Sequence, residues 1–125
     1  MRFRYHLAVE QMEIEQFPSN TRDVTVFTLK GPFTLATMFP LQSALREPDV
    51  NGAIVDLSGV PYIDSAGLGV LLGHWAHTQR AGHKFGLAGL MPRVRTIFEI
   101  THTHTILPIF ATVADAEAAF AKNTR

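Results

Sequence analysis

The chain has no cysteine in its 125 residues, which excludes a disulfide framework, a thiolate metal site and a cysteine nucleophile and fits a reducing compartment. It also lacks any apolar run approaching the roughly 18 uncharged residues of a membrane-crossing helix, so no membrane insertion is expected. No apolar stretch of signal-peptide length precedes Glu10 in MRFRYHLAVE, and a cytoplasmic location is the expectation. An excess of either charge is missing too. Eleven Lys and Arg balance eleven Asp and Glu, so the basic footprint with which proteins neutralise nucleic-acid phosphates is absent and no direct nucleic-acid partner is expected. With no repeats, no low-complexity tract and no long linker, the chain reads as one unit, large enough to bury an ordinary core.

What is present alternates between two periods. Residues 11–17, QMEIEQF, and 23–30, DVTVFTLK, alternate polar and apolar as half-buried strands do, and PSNTR between them is a turn. In LATMFPLQSALRE the residues Leu35, Met38, Leu41, Ala44 and Leu45 recur at helical spacing, with Pro40 predicting a kink or a late start. GAIVDL reads as a central strand buried on both faces. Over 66–80, Leu68, Leu71, Leu72, Trp75 and Ala76 keep helical spacing, leaving His74, His77 and Thr78 on the outer face. KFGLAG is a strand, PRVRTIFEI a helix with Pro92 in its first turn, ILPIF a short last strand, and Thr112 through Asp115 a capping box that opens a final helix. The class is therefore α/β, a mixed sheet of about five strands interleaved with about four helices, the first hairpin antiparallel and the rest largely parallel.

The irregular stretch is VPYIDSAGLG, residues 60–69. Two glycines in a first helical turn each cost about 1 kcal/mol relative to alanine, so something must compensate. Ser65 sits at the carboxyl edge of the GAIVDL strand, where α/β folds place ligand and partner surfaces. It can be an N-cap, although Asp64 can cap equally well. A hydrolase nucleophile wants G-x-S-x-G, and Ile63 replaces the first glycine. No G-x-x-x-x-G-K-[ST] phosphate loop occurs anywhere. As a phosphoacceptor the serine makes physical sense, because a helix dipole and free N–H groups tolerate a dianion there. Gly67 and Gly69 are expected to leave the hydroxyl unshielded. Asp56 and Ser58 are expected to shape the preceding turn through side-chain to backbone hydrogen bonds. His74 with His77, and His102 with His104 in THTHT, invite a metal reading, but supporting carboxylates at ligand spacing are absent and THTHT reads as an exposed loop, so no metal and no cofactor is expected.

The run from GAIVDL through IDSAGLG to PRVRTIFEI, followed by ILPIFATVADAEAAF, resembles the STAS domain, and in particular the stand-alone anti-sigma factor antagonists of bacteria. The resemblance spans about residues 11–121, leaving 1–10 as an N-terminal extension and 122–125 as a tail. It implies a protein that is not an enzyme. Its serine after the aspartate, Ser65, would be phosphorylated by an anti-sigma factor that is itself a serine kinase; the unphosphorylated form would bind that factor and free a sigma factor. The implied partner-binding residues are Asp64, Ser65, Ala66, Gly67 and Leu68, with Thr34 from the early loop. Two positions depart from the family pattern: Ala66 replaces a frequent second hydroxyl, and Thr34 stands where the early loop usually carries an acid. The alternative is a constitutive STAS module that binds a protein in a transport or signalling complex without being phosphorylated.

Overall fold

The computed structural model describes residues 2–6, as backbone, and 11–122. Strands β1 (Arg2–His6), β2 (Gln11–Pro18) and β3 (Val24–Lys30) run antiparallel in turn. From there the chain alternates: α1 (Phe39–Leu45), β4 (Gly52–Gly59), α2 (Ser65–Ala81), β5 (Phe85–Ala88), α3 (Pro92–Ile100), β6 (Ile109–Phe110) and α4 (Val113–Lys122). The strands from β3 to β6 pair in parallel, and the sheet holds six strands in the order in which the chain makes them. The expected mixed sheet is present, joined by β1 from the first residues.

Period-two alternation sorts the side chains of the central strands onto two faces. Phe27, Leu29, Val55, Leu57, Phe85 and Leu87 point to one side, where α1, α2 and α3 cover them with Leu41, Leu45, Leu68, Leu71, Val94 and Phe98. Consecutive parallel strands added in one direction by right-handed crossovers place their connecting helices on a single face, which accounts for the three helices lying together. On the other side Val24, Val26, Ile54 and Ala88 meet α4 through Ala116 and Phe120. That helix opens as the capping box predicts, with the Thr112 hydroxyl accepting from the Asp115 N–H at 3.0 Å.

Pro40 occupies the first turn of α1, so the helix starts late, and Leu35 falls outside it. Rather than continuing an apolar stripe, Leu35 lies in the turn over 34–37 and is 61% exposed. In THTHT, Thr101, His102, His104 and Thr105 are exposed as expected, and the departure is confined to a short turn and one buried residue. Thr103–Thr105 form one turn of 3-10 helix, and Thr103 is buried with its hydroxyl donating to the Phe98 carbonyl.

Candidate functional site

The site forms where the chain leaves β4. Opposite Thr28 to Lys30 the register of β4 slips by one residue, and the Asp56 carboxylate accepts from the Ser58 N–H at 3.0 Å within the slipped segment. This is the expected side-chain to backbone bond of Asp56; Ser58 supplies its N–H and is exposed. The chain then turns through a Val60 N–H to Leu57 carbonyl bond and runs beside the loop that follows β3. Phe33 and Ile63 form an isolated parallel bridge, with the Phe33 N–H donating to the Tyr62 carbonyl at 3.1 Å. Two loops distant in sequence are thus tied into one edge.

Asp64 completes the tie. One carboxylate oxygen accepts from the Gly67 N–H at 2.9 Å and caps α2, and the other accepts from the Leu35 N–H at 3.0 Å and anchors the early loop. The cap is Asp64, so Ser65 is the first helical residue. Relieved of capping, the Ser65 side chain is exposed, and among the described residues its hydroxyl has no hydrogen-bond partner. The first turn of α2 contains no acidic residue, so its N-terminal dipole is offset only from the cap.

The two glycines of the motif do different things. A Cβ on Gly67 would lie 2.4 Å from the Phe33 carbonyl oxygen and 2.9 Å from Ile63 Cγ1, so glycine there lets α2 seat on the early loop rather than opening the serine to a visitor. Gly69 has nothing within 4 Å of such an atom and is open. Of the residues expected at the partner surface, Ser65 is exposed and Asp64 and Ala66 are partly so, whereas Thr34, Gly67 and Leu68 are buried beneath them. Thr34 is held in a local turn, its N–H donating to the Thr37 hydroxyl at 2.9 Å and its own hydroxyl accepting from the Ala36 N–H. Leu35 was legible only as a helical core residue, yet it is the large apolar side chain displayed beside Asp64. Arg93 from the first turn of α3 stacks 5.3 Å from the centre of the Tyr62 ring and stiffens the neighbouring loop, a contact no local sequence signal announces.

The face of α2 is rotated from the one its leucines predict. Gly67, Leu68, Val70, Leu71, His74 and Thr78 are buried, so Leu68 and Leu71 face inward as expected, while Leu72, Trp75 and Ala76 are only half-buried. His74 and Thr78 are therefore inward residues. The His74 ring packs edge-on to Phe85 at 5.3 Å, and the Thr78 hydroxyl donates to the Trp75 carbonyl at 2.7 Å. Burial, reinforced by the nearby charges of His77, Arg46 and His83, lowers the His74 pKa to about 4. Among the described residues no three His, Asp or Glu side chains cluster as metal ligands would, and no helix is long and apolar enough to cross a membrane.

Comparison with known proteins follows this geometry. The STAS domain family model matches residues 13–116. The anti-sigma-B factor antagonist of Listeria monocytogenes is 32% identical over 101 residues, covering 78% of this chain and 88% of that protein. In structure, the chain is similar to an anti-sigma factor antagonist from Mycobacterium paratuberculosis, with a TM-score of 0.72 at 23% identity over 85% of this chain and 92% of that one. It is similar also to the phosphorylated form of the Bacillus cell fate determinant SpoIIAA, with a TM-score of 0.63 at 19% identity over 89% and 99% of the two chains. A sheet in chain order, an aspartate-capped central helix and this extent of sequence match agree: the chain belongs to the STAS domain family.

Proposed function

We propose that the protein is a cytosolic anti-sigma factor antagonist, without enzymatic activity, whose unphosphorylated form binds an anti-sigma factor with serine kinase activity and whose phosphorylation at Ser65 ends that binding. The observation that supports this most is the exposed Ser65 hydroxyl, unbonded at the start of a long helix whose cap is supplied by another residue. The similarity to an anti-sigma-B factor antagonist and to a protein solved in a phosphorylated form supports the same reading. Residues 11–121 are the STAS unit in this proposal. The partner covers Asp64, Ser65 and Ala66, which Thr34, Gly67 and Leu68 hold up from below.

Phosphorylation adds a charge of about −2 at pH 7, and the helix dipole with the first-turn N–H groups accommodates it without refolding. The switch is therefore local. Against a partner packed over the hydroxyl, a dianion meets an uncompensated desolvation cost, and a loss of about 3 kcal/mol weakens binding by about two powers of ten. The test pairs Ser65→Ala with Ser65→Asp, each titrated against the anti-sigma factor isolated from the source cell, with mass spectrometry of Ser65 in the captured protein. Ser65→Ala should bind permanently and Ser65→Asp weakly, both melting close to wild type. Equal binding by Ser65→Asp, together with an unmodified Ser65, would favour the constitutive module, a reading that the neutral Thr34 in place of the family acid also fits.

A further inference from the structure

A groove of about 280 Å³ lies between α1 and α2, beginning one turn along α2 from Ser65. Its walls include Arg46, His74, His77 and Arg80, and its floor is the bare backbone of α2 at Gly69 and Gly73. Among the described residues nothing beyond the adjoining backbone of α2 lies within 4 Å of where a Cβ would stand on either glycine, so the floor is open to an incoming group. No carboxylate among the described residues lines the groove. Among the described residues neither the Arg46 nor the Arg80 guanidinium has an ion pair or hydrogen bond.

A second, independent feature marks the same place. His74 is only 8% exposed, and among the described residues its buried Nε2 has no hydrogen-bond partner. An orphaned buried nitrogen costs stability unless something satisfies it, and such groups are rare enough to require a reason. Every charged neighbour that acts on this ring, His77, Arg46 and His83, disfavours a proton on it, which is what a region of positive potential does.

We propose that this groove binds a small organic oxyanion, a phosphate or carboxylate on a compact body. Arg46 and Arg80 supply charge-assisted hydrogen bonds to the oxygens. The body lies along the glycine floor against Leu45 and Val70, and a turn of the His74 ring, whose Nε2 is buried behind the groove wall, lets the ligand or a water carried in with it supply the partner that nitrogen lacks. The volume sits at the lower end of small-molecule sites and suits a compact ligand better than a protein segment.

The test is an NMR titration of the full chain with phenyl phosphate, benzoate and, as a neutral control, phenol. At least one anion should give saturable shifts at the amides of Gly69, Gly73 and His77, and which anion does so tells phosphate from carboxylate. R46Q and R80Q should each weaken binding about tenfold, while R95Q, which removes an exposed charge from α3, should change it less than about twofold. Gly73→Leu fills the groove from an open position and should abolish binding while the melting temperature holds. Equal loss in R95Q, equal binding of phenol, or shifts that fail to saturate by about 10 mM would each overturn the proposal. Because the titration uses neither kinase nor partner, its failure is distinct from failure of the Ser65 switch.

Discussion

The two faces of α2 meet opposite surroundings. Inward, Gly67 seats on the early loop and His74 packs on β5, with Leu71 and Thr78 also buried. Outward, Ser65, Gly69, Gly73 and His77 form an exposed stripe with one residue every four positions, its last three members lining the groove beside α1. Glycine occurs on both faces for opposite reasons, because a side chain at Gly67 collides and a side chain at Gly73 meets nothing. Residue type therefore does not reveal its role here; position on the helix does. The inner face sets where the helix sits, and the outer face is left free for other molecules.

The sharpest way to break this contrast is Gly67→Ala. Its added methyl would lie 2.4 Å from backbone, which cannot swing aside, so the variant should lose about 3 kcal/mol in a denaturant titration. A loss under about 0.5 kcal/mol would show that the helix does not depend on that seat.

Acid comes next, since it acts on the inner histidine. His74 stays neutral in the folded chain down to about pH 4, whereas its unfolded pKa is 6.5. Its ionisation therefore costs the fold nothing above about pH 6.5, but stability falls as the pH drops towards 4 because the unfolded chain takes up the proton first, and the loss levels off below that. The total is on the order of 3 kcal/mol. His74→Leu should flatten this window, and His77→Leu on the outer stripe should leave most of it in place.

Asp64→Ala removes both the cap and the tie to Leu35, and the two lost bonds together should cost about 2 kcal/mol. Hydrogen exchange should rise at the amides of Leu35 and Gly67 and little elsewhere. The smallest effect is of the opposite sign. Gly73→Ala on the open stripe should stabilise by about 0.5–1 kcal/mol through helix propensity alone, which thermal unfolding can resolve.

These contrasts also explain how far the fold and site were legible in sequence. Alternation in QMEIEQF and DVTVFTLK and the leucine spacing of 66–80 located strands and helices, because burial on one face imposes those periods. Pro40 gave the late start of α1 through its missing N–H. The rotation of α2 was not legible. Histidine and threonine score as polar, yet His74 fits against the Phe85 ring and Thr78 satisfies its hydroxyl within the helix, so both can face inward. Leu35 kept the right spacing for α1 but stands before its start, and spacing alone carries no information on where a helix begins. For Ser65 the open question between cap and free hydroxyl turned on a single rotamer, that of Asp64, whose two oxygens serve a near neighbour and a residue 29 positions away.

The sheet's order has a consequence for how the protein comes into being. Because β1 through β6 lie side by side in the sequence in which they occur, no strand must be threaded between two already paired. During synthesis each new strand can dock on the edge left by the previous one, so the nascent chain grows its sheet in one direction as it leaves the ribosome. The early loop and the β4 edge, on which Gly67 seats the serine-bearing helix, are complete once β4 has docked, so that end of the seat does not depend on β5 or β6.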